Sequence, residues 1–276
     1  MRAVHTHHRR ASHALEFHYP KSGAEIFWGL VVVPFILLCG MLAVLIFRHG
    51  ATPLSFGGVS LSSLGIAAAL TLMRLVVSYA IAIAIALPLA VLATHSRTAQ
   101  KILLPIFDVL QSVPILAFFP ILVVFFLGLG FENGAAVLIL VLTMIWSIVF
   151  AAIGGAGLIP RDIIYAAEVF GVRGFAYIRR ILLPALVPQI IVGSILAFAA
   201  GWNIIIVAEV IRTYLPADST TPNLMGLGSM MVEAAASGDT GRFLAALATT
   251  VLIIALVNIF IWQKLLHYAQ RFKFDQ

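Results

Sequence analysis

Long apolar stretches without a charged side chain recur along the chain, and they restrict what it can fold into. Of its 276 residues, 62% are hydrophobic and only 10% are charged, and the mean hydropathy is +1.09. So few polar side chains cannot cover the surface of a water-soluble domain of this length. A helix needs about 20 apolar residues to cross the roughly 30 Å hydrocarbon core of a bilayer. The sequence therefore predicts an all-α polytopic membrane protein.

Six segments are long enough to cross a bilayer as helices. They cover residues 27–47, 64–94, 106–129, 135–153, 187–211 and 243–262. No small-x-small cleavage site follows the first segment promptly, so we expect it to be retained and not removed as a signal peptide. The second carries Arg74 near its start, where we expect the guanidinium to reach the lipid head groups. The chain then divides into a basic tail (1–26), a first span, a core (64–263) and a C-terminal tail (264–276).

Lysine and arginine are distributed unevenly between the two sides of this arrangement. Thirteen of the 17 lie in the N-terminal tail, the loop after the second segment, the loop at 160–184 and the C-terminal tail. Three lie on the opposite side, and Arg74 falls within a segment. The positive-inside rule therefore predicts that both termini and the 160–184 loop are cytoplasmic. The net charge of +6 is explained by these basic flanks, so no nucleic-acid partner is predicted.

The loop between the fourth and fifth segments is predicted to form a helix, a glycine turn and a second helix. Its residues 165–184 read YAAEVFGVRGFAYIRRILLP. Pro160 suits the first turn of a helix, and Gly171 permits the positive φ that ends one. A second helix is expected over residues 175–182, with Pro184 and Pro188 separating it from the fifth segment. An alternative is an ordinary amphipathic connector that lies on the membrane surface.

The same loop resembles the EAA loop of ABC importer permeases. Eight residues carry the resemblance, and it implies that they contact the ATPase. They are Tyr165, Ala166, Ala167, Glu168, Gly171, Ile181, Leu183 and Pro184. A Glu usually stands where this chain has Tyr165. Residues 105–130, 201–210 and 226–239 are similar to the nitrate, sulfonate and taurine branch of that family.

The resemblance implies the type I ABC importer fold of six transmembrane helices with a cytoplasmic coupling helix pair. It also implies a multi-pass subunit of a prokaryotic inner membrane that imports a small solute, with an anion expected. Its implied partners are two cytoplasmic ATPases, a second permease subunit and an external solute-binding protein. No GxxxxGK[ST] sequence occurs in the chain, so ATP and Mg are expected on the separate ATPase and no enzyme activity or cofactor on this chain.

Polar residues inside the predicted spans are candidates for a translocation pathway, because such residues are costly in a bilayer. Asp108, Gln111 and Ser112 share one helical face, which suits a conduit or the wet start of the third segment. Asn203 lies near the middle of the fifth segment and suits a pathway or a helix–helix contact. Glu209 is expected to pair with Arg212, three residues later. The candidate set is Gln111, Ser112, Trp202, Asn203 and Glu209.

Other classes of protein fit the sequence less well. The single cysteine, Cys39, has no second cysteine in the chain with which to form a metal site. The histidines of the N-terminal tail are irregularly spaced, so we expect a solvated segment there and not a metal site. No HExxH or paired-carboxylate motif supports a membrane-embedded enzyme. A secondary transporter or channel, and an ABC permease for amino acids, remain alternatives.

Overall fold

The computed structural model describes residues 55–56, 58–94, 96–215 and 221–269. The N-terminal tail and the predicted first span, 27–47, lie outside these residues, as do 270–276. The described chain begins with a short hairpin in which β1 (Ser55–Phe56) pairs antiparallel with β2 (Val59–Ser60). After this hairpin, the described residues form only helices and connecting loops.

Ten α-helices follow among the described residues. They are α1 (Leu61–Thr94), α2 (Arg97–Ser112), α3 (Ile115–Gly128), α4 (Asn133–Ala156), α5 (Arg161–Val169), α6 (Gly174–Tyr177), α7 (Leu183–Ala208), α8 (Leu227–Ser237), α9 (Thr240–Val257) and α10 (Gln263–Ala269). One π-helical turn, Ile178–Leu182, joins α6 to α7, and another, Asn258–Trp262, joins α9 to α10. The prediction of an all-α protein is confirmed.

Four helices of the described chain are long and apolar enough to cross a membrane. They run over Leu61–Thr94, Asn133–Ala156, Gly174–Ala208 and Thr240–Ala269. The pair α2 and α3 adds a fifth if the two are counted as one span. These correspond to the second through sixth predicted segments, and the first lies outside the described residues.

The third predicted span is not one straight helix. It is broken between α2 and α3, which meet at a bend of 75°. Val113 is extended, with φ −67° and ψ 126°, and Pro114 follows it. A proline disfavours helical geometry at the residue before it and has no N–H to donate, so the helix ends here. Pro120, by contrast, lies inside α3 without breaking it.

The prediction that prolines separate the 160–184 loop from the fifth span is wrong. Residues Gly174–Ala208 form one helical run of 35 residues through the π turn. Pro184 lies in the first turn of α7, where its missing N–H is not needed. Leu183 N–H donates to the carbonyl of Ile178 in the π turn, and this wider turn accommodates the proline ring.

The core of the bundle is built around α4, which packs against α1 on one side and α7 on the other. Ile139, Leu140, Met144 and Ile148 of α4 are fully buried. Many large apolar side chains elsewhere on the helices are exposed, such as Ile121, which is 67% exposed on α3. Exposed apolar surface on this scale suits a bundle surrounded by lipid or by other subunits.

Candidate functional site

The loop between α4 and α7 folds as a helix, a glycine turn and a second helix, as the sequence predicts. α5 ends in a Schellman motif, in which Val172 N–H donates to the carbonyl of Ala167 at 2.8 Å and Gly171 N–H to that of Glu168 at 3.1 Å. Gly171 has φ +69°, a conformation that other residues adopt at a cost. The backbone itself therefore fixes the bend between the two helices.

Four large apolar side chains of this loop face away from the bundle. Val169 and Phe170 are each 82% exposed, Phe175 is 76% exposed and Tyr165 is 56% exposed. We call these four residues the coupling surface. The same loop also exposes charged side chains, namely Arg161, Asp162, Glu168, Arg173, Arg179 and Arg180. An apolar patch with a polar rim is typical of a protein–protein contact.

The structure divides the predicted ATPase-contacting residues into two groups, with Gly171 exposed at the turn between them. Tyr165, Ala166 and Glu168 are exposed on α5, whereas Ala167 is buried beneath them. The remaining members lie half-buried at the start of the long helix that leads into the bundle: Ile181, Leu183 and Pro184. Sequence reasoning missed Val169, Phe170 and Phe175 as surface residues. The sequence does contain a sign of this surface, because bulky apolar residues stand on either side of the predicted glycine turn.

A buried ion pair joins α1 to the end of α7. Arg74 Nη1 lies 2.8 Å from Glu209 Oε1, and both side chains are buried. The predictions that Arg74 reaches the head groups and that Glu209 pairs with Arg212 are therefore wrong. Glu209 ends α7 facing inward, whereas Arg212 begins a separate 3₁₀ turn (Arg212–Tyr214) with its side chain exposed.

The carboxylate of Glu209 also accepts hydrogen bonds at the N-terminus of α8. Gly228 N–H donates to Glu209 Oε2 at 2.8 Å. Thr71 Oγ1 donates to Glu209 Oε1 at 2.7 Å and accepts from Leu227 N–H at 2.9 Å. The first N–H groups of a helix have no partner within it, and negative charge is favourable there. Glu209 and Thr71 thus cap α8 from two other helices.

Arg74 extends the same network to two further segments. Its Nε donates to Asn133 Oδ1 at 2.8 Å, and its Nη1 donates to the carbonyl of Met225 at 2.9 Å. We call Thr71, Arg74, Asn133 and Glu209 the polar cluster. A Cβ on Gly228 would lie 2.6 Å from the Cα of Ile206, so only glycine allows α8 to approach this closely. Because its carboxylate and guanidinium are paired, the cluster is a structural joint between helices.

The remaining pathway candidates occupy different surroundings. Gln111 and Ser112 are exposed at the end of α2, where Gln111 Nε2 donates to Asp108 Oδ1 at 2.8 Å. Asn203 is exposed on α7, and its Nδ2 donates to the carbonyl of Ala199 at 3.0 Å. Trp202 is buried in the core and Glu209 in the polar cluster. The structure therefore separates the five candidates into three on open faces and two inside the bundle.

Gln111 opens onto a cleft of about 590 Å³ between the α2–α3 break, α4 and α7. We call it the α4–α7 cleft. Its polar lining groups are neutral, and its other lining residues are apolar or aromatic. The lining consists of Gln111, Ile115, Thr143, Trp146, Ser147, Phe150, Ala151, Gln189, Val192 and Leu196.

No group of three or more His, Cys, Asp or Glu side chains that could hold a metal ion occurs among the residues that the structure describes. The histidines of the N-terminal tail and Cys39 lie outside these residues.

A protein-family comparison identifies the class to which this bundle belongs. Residues 82–267 match the family of binding-protein-dependent transport system inner membrane components. The chain belongs to this family. The match extends from within α1 to within α10, and it includes the coupling surface, the α4–α7 cleft and Glu209. Thr71 and Arg74 of the polar cluster precede it.

Individual permeases of known function are similar to parts of the chain. The nitrate import permease protein of Leptolyngbya laminosa is 30% identical over 190 residues, which cover 69% of this chain and 63% of that protein. The taurine transport system permease protein of Escherichia coli is 26% identical over 191 residues, 69% of this chain and 65% of that protein. The bicarbonate transport system permease protein of Synechococcus elongatus is 29% identical over 143 residues, 52% and 50% respectively. The chain thus spans between half and two thirds of the length of these relatives.

Proposed function

We propose that this permease is the transmembrane subunit of an ATP-driven importer for a small anion of the nitrate, sulfonate or taurine type. An external binding protein delivers the anion. The relatives are named for nitrate, taurine and bicarbonate transport, which supports this class of solute. The coupling surface is the observation that carries the proposal, because an importer without its own ATPase site needs a rigid contact with a motor.

The coupling surface has the rigidity that such a contact requires. Gly171 fixes the bend before the second helix, and the run Gly174–Ala208 continues without interruption into the bundle. At 1.5 Å per residue, this run is about 52 Å long. A displacement of the loop by a cytoplasmic ATPase therefore moves α7 as one body. Two such ATPases, each binding ATP and Mg, are the proposed partners.

A second permease subunit, identical or homologous, completes the proposed assembly. Asn203 is exposed on α7, whose other exposed side chains are apolar, and Gln111 is exposed at the end of α2 beside exposed apolar residues such as Val109 and Leu110. Polar side chains are rarely left facing lipid, and interhelical contacts with amides stabilise helix association in membranes. A partner permease that covers these faces would enclose them in a shared pathway.

An anion suits the charges of this proposed pathway. Glu209 is withdrawn into the bundle and paired with Arg74, so its carboxylate does not repel a solute on the open face. The neutral groups of the α4–α7 cleft can donate hydrogen bonds without holding the ion as tightly as a fixed cation. The residues proposed for this open pathway are Gln111, Ser112 and Asn203.

Purification from native membranes followed by mass spectrometry tests the assembly. An ATPase, a binding protein and a permease partner should appear together with the chain. The reconstituted complex should then take up at least one of nitrate, taurine, an alkanesulfonate or bicarbonate, and only with ATP. Uptake without an ATPase would favour a secondary transporter or channel, and uptake of amino acids alone would overturn the anion proposal.

Asn203→Leu tests the pathway separately from delivery. This variant should reduce uptake, because the exposed amide on α7 is lost, while the affinity of the separate binding protein for its solute stays unchanged. Uptake equal to that of the wild type would remove Asn203 from the pathway.

A further inference from the structure

We propose that the α4–α7 cleft is a transient binding station for an oxyanion, with Ser147 and Gln189 as its specificity-determining donors. The inference rests on the proposed function and goes beyond it, because it assigns the solute to particular side chains. Neither Ser147 nor Gln189 was among the pathway residues that the sequence predicted.

The two donors line the same cleft because α4 packs against α7. Thr143, Ser147 and Ala151 recur every four residues on α4 and so share one face of that helix. Gln189 lines the opposite wall of the cleft from α7. Its stem lies against α4, since a Cβ on Gly155 would come within 2.8 Å of the Cβ and Cγ of Gln189. The glycine thus allows the glutamine to lie between the two helices.

Hydrogen bonding distinguishes these two side chains from their neighbours. Thr143 Oγ1 donates to the carbonyl of Ile139 at 2.7 Å, and the amide of Gln111 is bonded to Asp108. In the described part of the chain, the hydroxyl of Ser147 and the amide of Gln189 have no hydrogen-bond partner. Both residues are half-buried. Since no unpaired side-chain N or O atom of the described residues is buried, the free donors of these two residues are accessible from the cleft, and a solute that passes through it can accept hydrogen bonds from both.

The charge of the cleft favours a weakly held anion. No Lys, Arg, His, Asp or Glu is among its lining residues. The carboxylate of Asp108, which accepts from Gln111, is exposed and is not part of this lining. A hydroxyl and an amide NH₂ both donate to the oxygen atoms of nitrate or of a sulfonate. Because neither group is charged, the ion can leave again during each cycle.

Proteoliposomes that contain the full complex, with its ATPase and binding protein, provide the test, and nitrate is the first probe. The measured quantity is nitrate transported per ATP hydrolysed. Ser147→Ala and Gln189→Leu should each lower it by up to about tenfold, since each removes a hydrogen bond to a charged solute. Gln189→Glu should lower it further, because it places a carboxylate in the station at almost unchanged volume. ATP hydrolysis stimulated by the binding protein should persist in all three variants.

Matched controls separate a local effect from a general one. Gln100→Leu on α2 and Ser237→Ala on α8 make the same chemical changes outside the cleft, and both should transport nitrate as the wild type does. If Gln189→Leu fails to assemble, Ser147→Ala and the nearly isosteric Gln189→Glu carry the test.

The outcomes distinguish this inference from the function on which it rests. Wild-type values in Ser147→Ala and in both Gln189 variants, with an active wild-type complex, would overturn the station and leave the proposed function intact. Faster uptake by Gln189→Glu would show a cation site and also overturn it. If the wild-type complex transports none of nitrate, taurine, an alkanesulfonate and bicarbonate, the proposed function and the station are both overturned.

Discussion

Arg74 Nη1 and Glu209 Oε1 lie 2.8 Å apart inside the bundle although the two residues are 135 positions apart in the chain. The pair connects the early part of α1 to the end of α7, and Glu209 in turn accepts from the backbone of α8. Removing one partner of such a pair leaves the other charge buried without compensation, which is far more destabilising than losing an exposed pair.

Glu209→Gln should therefore destabilise the permease by roughly 3–5 kcal/mol, because the guanidinium of Arg74 would remain buried without its counter-ion. The temperature at which half of the detergent-purified complex aggregates measures this effect. The double variant Arg74→Met with Glu209→Met should recover part of the loss, because neither charge then remains unpaired.

Glu233→Gln is the matched control for this prediction. Glu233 pairs with Arg242 at 3.6 Å, and both side chains are exposed. Exposed pairs contribute at most about 1 kcal/mol, so this variant should behave almost as the wild type. Equal losses in Glu209→Gln and Glu233→Gln would contradict the assignment of the polar cluster as a joint.

The partner of Glu209 shows where sequence reasoning reaches its limit. Helical spacing indicates Arg212, three residues away, as the partner. The two side chains would share one helix face if α7 continued through both residues. The helix ends at Ala208 instead. The actual partner, Arg74, is brought near by the packing of three helices, and no local pattern in the sequence encodes that approach.

Gly171→Val should abolish transport while membrane insertion is retained. A β-branched residue at φ +69° costs on the order of 1–3 kcal/mol. Relief of this strain would change the bend between the two helices of the loop that joins α4 to α7. Solute-stimulated ATP hydrolysis by the reconstituted complex is the measurement. Gly154→Ala is the control, because the added Cβ meets no atom within 4 Å. Normal stimulation in Gly171→Val would contradict a role for this turn.

Phe170→Asp should prevent stable association with the ATPase, because it places a charge in the middle of the coupling surface. The side chain is 82% exposed, so its replacement should leave the bundle itself folded. Co-purification of the ATPase with a tagged permease measures the effect, and Phe170→Leu should retain association through its apolar side chain. Undiminished co-purification in Phe170→Asp would mean that the ATPase binds elsewhere.

The orientation of the protein in the membrane can be tested with single reporter cysteines after Cys39 is replaced. The uneven distribution of cations predicts Arg173 in the cytoplasm and Ala217, which lies outside the described residues, on the opposite side. An impermeant thiol reagent applied to intact cells should label a cysteine at 217 and not one at 173. The reverse pattern would invert the topology.

Arg212→Gln should impair the uptake of an anion more than that of a neutral solute. Within the described residues Arg212 has no carboxylate partner, and its side chain is exposed just beyond the end of α7. A free cation there would attract an anion before it enters the pathway. The measurement is the ratio of anion uptake to neutral-solute uptake in the reconstituted complex. In the wild type this ratio should increase at low salt, where charges are screened less, and in the variant it should not. An unchanged ratio would show that Arg212 does not act on the solute.

Regular patterns in the sequence predicted the helical architecture and the turn at Gly171, because apolar length and a positive φ depend on local residues. The effects of the prolines were harder to predict. Pro114 breaks a helix, whereas Pro120, Pro184 and Pro188 do not. The difference depends on whether the chain can adjust around the missing N–H, as it does in the π turn before Pro184. The apolar residues of the coupling surface were visible in the sequence, but only the fold shows that they face outward.

The capping of α8 by Thr71 and Glu209 has a consequence for the order in which the chain acquires its structure. Leu227 is 156 positions from its acceptor Thr71, and Gly228 is 19 positions from Glu209. The first turn of α8 therefore cannot satisfy its backbone until α1 and α7 are in place. Contacts between residues so distant in the chain form slowly, because a long loop must first close. We therefore expect the start of α8 to become ordered late in folding, after α1 and α7 have packed together.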